Sequence, residues 1–154
     1  MNNLVLRRIR YILDFCDKQM MEIFMLANLD VTREQLSQWL KKEDDPDYKI
    51  CRDHELAHFL NGLISFKRGQ REGDQPQSEK KLTNNIIFRK LIIAFSLKSE
   101  DVIVILQNAD LRVSKHELSA FFRKPTHKNY RDCKDQILRN FLTGLQMRIR
   151  SNDA

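Results

Sequence analysis

The chain of 154 residues carries 27 Lys and Arg against 21 Asp and Glu, a formal charge of +6, and 42% of it is hydrophobic. That length suits one compact domain or two small ones, with enough apolar residues for a real core. No apolar run approaches a membrane span. The start, MNNLVLRRIR, lacks the charge-then-apolar order of a signal peptide, and three cysteines without an export signal point to reduced thiols in the cytoplasm.

In chain order, a first helix is expected over about 3–16, where Leu6, Ile9, Leu13 and Cys16 form an apolar stripe. A second follows over about 18–28 with Met21, Phe24 and Met25 facing inward. Thr32-Arg-Glu-Gln35 has the form of a capping box and opens a third helix. After Tyr48-x-x-Cys51-Arg-Asp53 a fourth begins, with Asp53 expected as its N-cap, and runs through Leu56, Phe59, Leu60 and Leu63. Residues 69–81, GQREGDQPQSEKK, are polar and aperiodic, as in a linker.

Beyond the linker the same pattern returns without a gap at an offset of about 82 residues. Residues 2–68 fall on residues 84–150: Asn2-Asn3 on Asn84-Asn85, Arg7 on Arg89, Leu36-Ser37 on Leu118-Ser119, Tyr48 on Tyr130, Cys51 on Cys133, and Gly62-Leu63 on Gly144-Leu145. NIIFRKLIIAFSL is expected to be the most buried helix. Val102, Ile105 and Leu106 mark the inner face of the next, capped by Ser99, and Ser114-Lys-His-Glu117 repeats the capping box. A glycine inside the fourth helix of both copies costs helix stability and therefore signals a close helix crossing. No segment alternates with period two. The expected fold is all-α: two tandem four-helix repeats, at 2–68 and 84–150, joined by a polar linker at 69–83 and packed about a pseudo-two-fold axis.

The strings WLKKEDD, FLNGLISFKRG, NNIIFRKLIIAFSLKSED and HKNYRDCKDQILRNFLTGL resemble the YehS-like proteins, short bacterial proteins with two copies of one domain of unknown function. The resemblance spans nearly the whole chain. It implies a bacterial cytosolic protein and brings neither an activity nor catalytic residues.

The stretch LDVTREQLSQWL has the apolar positions of a helix-turn-helix at Leu29, Val31, Leu36 and Trp39, matched by Leu111, Val113, Leu118 and Phe121. The turn position that favours Gly holds Asp30 or Arg112, and the small position before it holds Leu26 or Asn108, which favours an ordinary helical hairpin. Charge separates the copies. The first has eleven basic and eleven acidic residues, the second thirteen and six. The first copy reads KKEDDPD after its third helix and the second RKPTHKN, so nucleic acid is expected to meet Lys115, Arg123, Lys124, Lys128, Arg131 and Lys134. An acidic protein partner would fit the same residues, and so would pairing of the two loops, within a chain or head to tail between chains. Arg7 and Arg89 are candidates to line a groove at the pseudo-dyad.

Cys51, His54 and His58 have metal-like spacing, but the second copy holds Cys133, Gln136 and Asn140, so no metal or cofactor is expected. Glu43–Asp47 lacks the alternating ligands and the Gly of a calcium loop. No nucleophile elbow or phosphate-cradling Gly-rich loop is present. The sequence therefore points to a non-enzymatic binding module.

Overall fold

A computed structural model describes residues 1–69 and 77–151. These form eight helices and no strand: α1 (Asn2–Leu13), α2 (Asp17–Leu26), α3 (Arg33–Leu40), α4 (Asp53–Arg68), α5 (Asn84–Ala94), α6 (Ser99–Asn108), α7 (Lys115–Ala120) and α8 (Asp135–Arg150). The chain divides into two compact units, Met1–Leu82 and Thr83–Ala154, with four helices each. Among the described residues no helix is long and apolar enough to cross a membrane. The part of the expected linker at 70–76 lies outside the described residues. From residue 77 the chain is bound to unit 1: Ser78 Oγ accepts from the buried Asn61 amide (3.2 Å), and the Leu82 N–H donates to Asp53 (3.0 Å).

Each unit builds its core from one stripe per helix. The first stripe is Val5, Leu6, Ile9 and Ile12. It does not continue through Leu13 to Cys16, because Asp14 turns left-handed (φ 54°) and the Phe15 N–H returns to the Arg10 carbonyl (3.0 Å). Cys16 is exposed and opens α2 instead. The inner face of α2 is Met20, Ile23 and Phe24, not Met21 and Met25; Met25 is 50% exposed. Its counterpart α6 buries Val102, Ile105 and Leu106 as the pattern indicates. Helix α5 is not buried all round: it stops at Ala94, and Ile93 is 38% exposed.

The third helices start as their capping boxes require. Thr32 and Gln35 exchange hydrogen bonds (3.0 and 3.1 Å), and so do Ser114 and Glu117 (3.0 and 3.1 Å). The other caps differ from expectation. Arg52, Lys98 and Lys134 are the N-caps, so Asp53, Ser99 and Asp135 each sit one residue inside their helices. Glu55 and Asp101 reach back to the N–H groups of Arg52 and Lys98 (2.8 Å each), which leaves the Asp53 carboxylate for partners elsewhere.

The repeated glycines mark the closest crossings. A Cβ on Gly62 would stand 1.9 Å from the Ile23 carbonyl oxygen, and one on Gly144 2.0 Å from that of Ile105. Only glycine lets α4 lie against α2, and α8 against α6, at this separation.

Residues 27–32 join α2 to α3, and 109–114 join α6 to α7, longer than the turn of about three or four residues in a DNA-reading pair. The left-handed residues are Asn28 and Asp110 (φ 65° each), not the Asp30 and Arg112 of the motif. Leu29 and Leu111 donate back to Phe24 and Leu106 (3.1 and 2.9 Å), the double-bonded helix end that follows a left-handed residue. Trp39 and Phe121 are buried, while Arg33, Glu34 and Ser37 on α3, and Lys115, His116 and Ser119 on α7, face outward. These are hairpins with exposed outer faces and their own turn geometry.

Candidate nucleic-acid interface

The paired asparagines, which resemble N-caps in the sequence, have another task. Met1 and Thr83 are the N-caps. Asn3 is buried and donates to the Trp39 and Lys49 carbonyls (3.0 and 2.8 Å) while accepting from the Cys51 N–H (3.0 Å). Asn85 does the same with Phe121, Arg131 and Cys133 (2.9, 2.8 and 3.0 Å). Asn2 binds the Cys51 carbonyl and Asp53, and Asn84 the Cys133 carbonyl and Asp135. Each pair pins both ends of the loop between the third and fourth helices. The asparagine and cysteine segments sit at one offset in both copies, and that coincidence was the available signal.

The two pinned loops share a backbone. The Asp45 N–H donates to Lys42 and the Tyr48 N–H to Asp45 (3.0 Å each); the His127 N–H donates to Lys124 (2.8 Å) and the Tyr130 N–H to His127 (3.0 Å). Even the side chain at the bend plays one part, Asp45 accepting from the Asp47 N–H and His127 Nδ1 from that of Asn129 (2.8 and 3.0 Å). What differs is charge.

The six cations expected to form the interface divide in two. Lys115 pairs with Glu100 (3.4 Å). Arg131 pairs with Glu117 (3.4 Å) and lies 5.6 Å from the centre of the Phe121 ring. The Ser114 backbone N–H, with Arg131 adding to it, holds the Glu117 carboxyl below its ordinary range. Arg123, Lys124, Lys128 and Lys134 have no ion-pair partner among the described residues, and the three lysines are exposed. Lys134 borders an open depression that also holds Asp132, Asp135 and Arg139, whereas Arg123, Lys124 and Lys128 stand together within residues 123–128.

Arg7 and Arg89 occupy equivalent positions in different settings. Arg7 donates to the Lys41 carbonyl (3.1 Å). Arg89 has no hydrogen-bond partner among the described residues and lines a cavity of about 210 Å³ with Ile86, Phe122, Arg123, Pro125 and Tyr130. Burial, with Asp132 close by, pushes the Tyr130 phenol up from its ordinary value.

Within the metal-like spacing, His58 has a backbone neighbour. His58 Nδ1 lies 2.8 Å from the Ala27 carbonyl, and Asn140 donates to the matching Ala109 carbonyl (3.3 Å). Two residue types thus make one contact, which comparing letters between the copies conceals. Among the described residues no three His, Cys, Asp or Glu side chains converge as a metal site. Burial pushes both Cys51 and Cys133 up to about 12, the opposite direction from the lowered value of an activated thiol.

The family's sequence profile matches the chain twice, at residues 2–69 and 84–151, one match for each clamp-and-loop unit. The chain belongs to the DUF1456 family, proteins of unknown function. It is 45% identical over 149 residues to the uncharacterized protein YehS of Escherichia coli strain K12, covering 96% of each chain. No solved structure matches. The two DUF1456 copies place one framework under two loops that differ in charge, net acidic over residues 41–47 and basic over residues 123–129.

Proposed function

We propose that this DUF1456 protein is a non-enzymatic binding module whose second unit engages nucleic acid through the loop between α7 and α8. The reading is carried by one observation: two loops with the same backbone hydrogen bonds, one holding Glu43, Asp44, Asp45 and Asp47 and the other Arg123, Lys124 and Lys128, which have no ion-pair partner among the described residues. Unneutralised cations on a pinned loop meet phosphates without first breaking internal pairs, and each contact releases counterions. Lys115 and Arg131 contribute only by leaving exposed pairs, which are worth little.

The test is fluorescence anisotropy of labelled DNA and RNA over a range of salt. With three or four phosphate contacts on a single strand, log affinity falls against log salt with a slope of about −2 to −3. Lys124→Glu/Lys128→Glu alters only exposed side chains and is expected to abolish binding without changing the circular dichroism spectrum. Absence of binding at low salt overturns the reading and directs the basic loop to an acidic protein partner.

A further inference from the structure

The cavity that Arg89 lines takes Arg123 and Pro125 from the charged loop. Its walls are mainly apolar, with Ile86, Phe122 and Pro125 among them, and Arg89 and Arg123 also line it. Phe122 is fixed edge-on against Phe88, with ring centres 5.3 Å apart. Unit 1 differs at several of these positions. There α3 runs on to Leu40, the counterpart of Phe122, whereas α7 ends at Ala120 and leaves Phe122 in the turn beyond it. Glu43 stands in the place of Pro125, and Arg7 spends a donor on the Lys41 carbonyl. An arginine with free donors beside an apolar wall can both fork onto a phosphate and stack on a planar ring. At about 210 Å³ the cavity is smaller than the roughly 300–1,000 Å³ typical of drug-sized ligands, so it suits one ring rather than a whole cofactor.

We infer that this cavity receives a single unstacked nucleobase, with the adjoining phosphate held between Arg89 and Arg123, so that unit 2 selects single strands over duplex. The inference rests on the nucleic-acid reading above and names its substrate class. A base in a duplex is stacked and paired and cannot enter; a base in a single strand is free to be splayed out onto an aromatic wall. A free nucleotide carries the same ring and phosphate, so the experiment separates the two sources.

Anisotropy is measured at one salt concentration for four labelled probes: a ten-nucleotide single strand, an abasic strand of equal length, a duplex, and a mononucleotide 5′-phosphate. The wild-type protein is expected to favour the base-bearing strand over the abasic one by about tenfold, the effect of one stacked base. Phe122→Leu, which installs the residue unit 1 uses, and Arg89→Ala should each remove that preference while leaving salt-dependent binding to the abasic strand. Lys124→Glu/Lys128→Glu should remove both. Equal affinity for abasic, base-bearing and duplex probes overturns the inference but keeps the nucleic-acid reading. Failure of every strand to bind at low salt overturns that reading itself. Arg89-dependent binding of the mononucleotide alone overturns the choice of a strand as ligand.

Discussion

Asn85, like Asn3, spends one buried amide on three backbone groups, and its worth follows from what removal leaves behind. Asn85→Ala strands the Phe121 and Arg131 carbonyls and the Cys133 N–H in a site where the asparagine itself is only 8% exposed. A buried group without a partner costs about 1–3 kcal/mol, and partial relaxation brings the expected total loss to roughly 3 kcal/mol in urea denaturation. Asn85→Asp should do no better than Ala, since a carboxylate accepts from Cys133 but faces two carbonyls with nothing to donate. The Asn-Asn and Tyr-x-x-Cys-x-Asp strings were legible as repeated residues. Their partnership was not, because the bonded residues lie 36 to 51 positions apart and neither string is periodic. The cysteines beside these clamps yield a second prediction. Their thiols are raised to about 12 against an ordinary 9.0, so above pH 9 the unfolded chain releases protons that the native state retains. Stability contributed by the neutral thiols is therefore complete below pH 9 and is lost as pH rises toward 12. In urea titrations the midpoint should fall between pH 8 and pH 10, and Cys51→Ser/Cys133→Ser should lessen the fall. At neutral pH a thiol reagent should label Cys16 alone until denaturant is added.

Helix existence was legible throughout and helix faces only in part. Every third helix start followed from its capping box, because that signal lies within four consecutive residues. The inner face of α6 was clear from Val102, Ile105 and Leu106, whereas α2 carries apolar residues on both sides, and Met21 and Met25 compete with Met20 and Ile23. The repeat offset would have resolved it, since Met20, Ile23 and Phe24 underlie the three buried residues of α6. Helix α1 stops short of its apolar stripe because Asp14, between Leu13 and Cys16, takes a left-handed conformation that no periodicity reports. Gly62 and Gly144 went the other way: a residue unfavourable to helices, found twice at one place, pointed to the close crossing that the structure contains. Gly62→Ala and Gly144→Ala would each place a methyl group against a carbonyl oxygen, which no side-chain rotation relieves. The roughly 1 kcal/mol gained in helix propensity is outweighed by forcing the helices apart. A net loss of about 2–4 kcal/mol is expected in denaturant unfolding, with Ala more destabilising than Gly at both sites.

Across the whole chain, charge and framework separate cleanly, and that separation can be tested directly. The charge partition was readable by counting, because the ungapped repeat sets the boundaries; the cavity was not, because it arises from α7 ending two positions earlier than α3. Replacing residues 123–129 by KKEDDPD exchanges three cations for two cations and four carboxylates. The graft keeps Asn85, Tyr130 and Cys133, and it puts Asp at the bend, where Asp45 already makes the same hydrogen bond in unit 1. The graft should therefore fold, with an unchanged helical spectrum, and bind no nucleic acid at any salt concentration. The reciprocal graft of RKPTHKN into residues 41–47, added to the first, moves the cations onto unit 1. If loop charge on a pinned backbone is sufficient, this double exchange restores salt-dependent binding. It should not restore a preference for base-bearing strands, because Leu40 stands in the place of Phe122 and Arg7 is engaged with the carbonyl of residue 41. Recovery of binding without that preference would place affinity in the loop and discrimination in the cavity. Recovery of both would show that the cavity contributes nothing, and recovery of neither would show that the phosphate contacts depend on unit 2 beyond its loop.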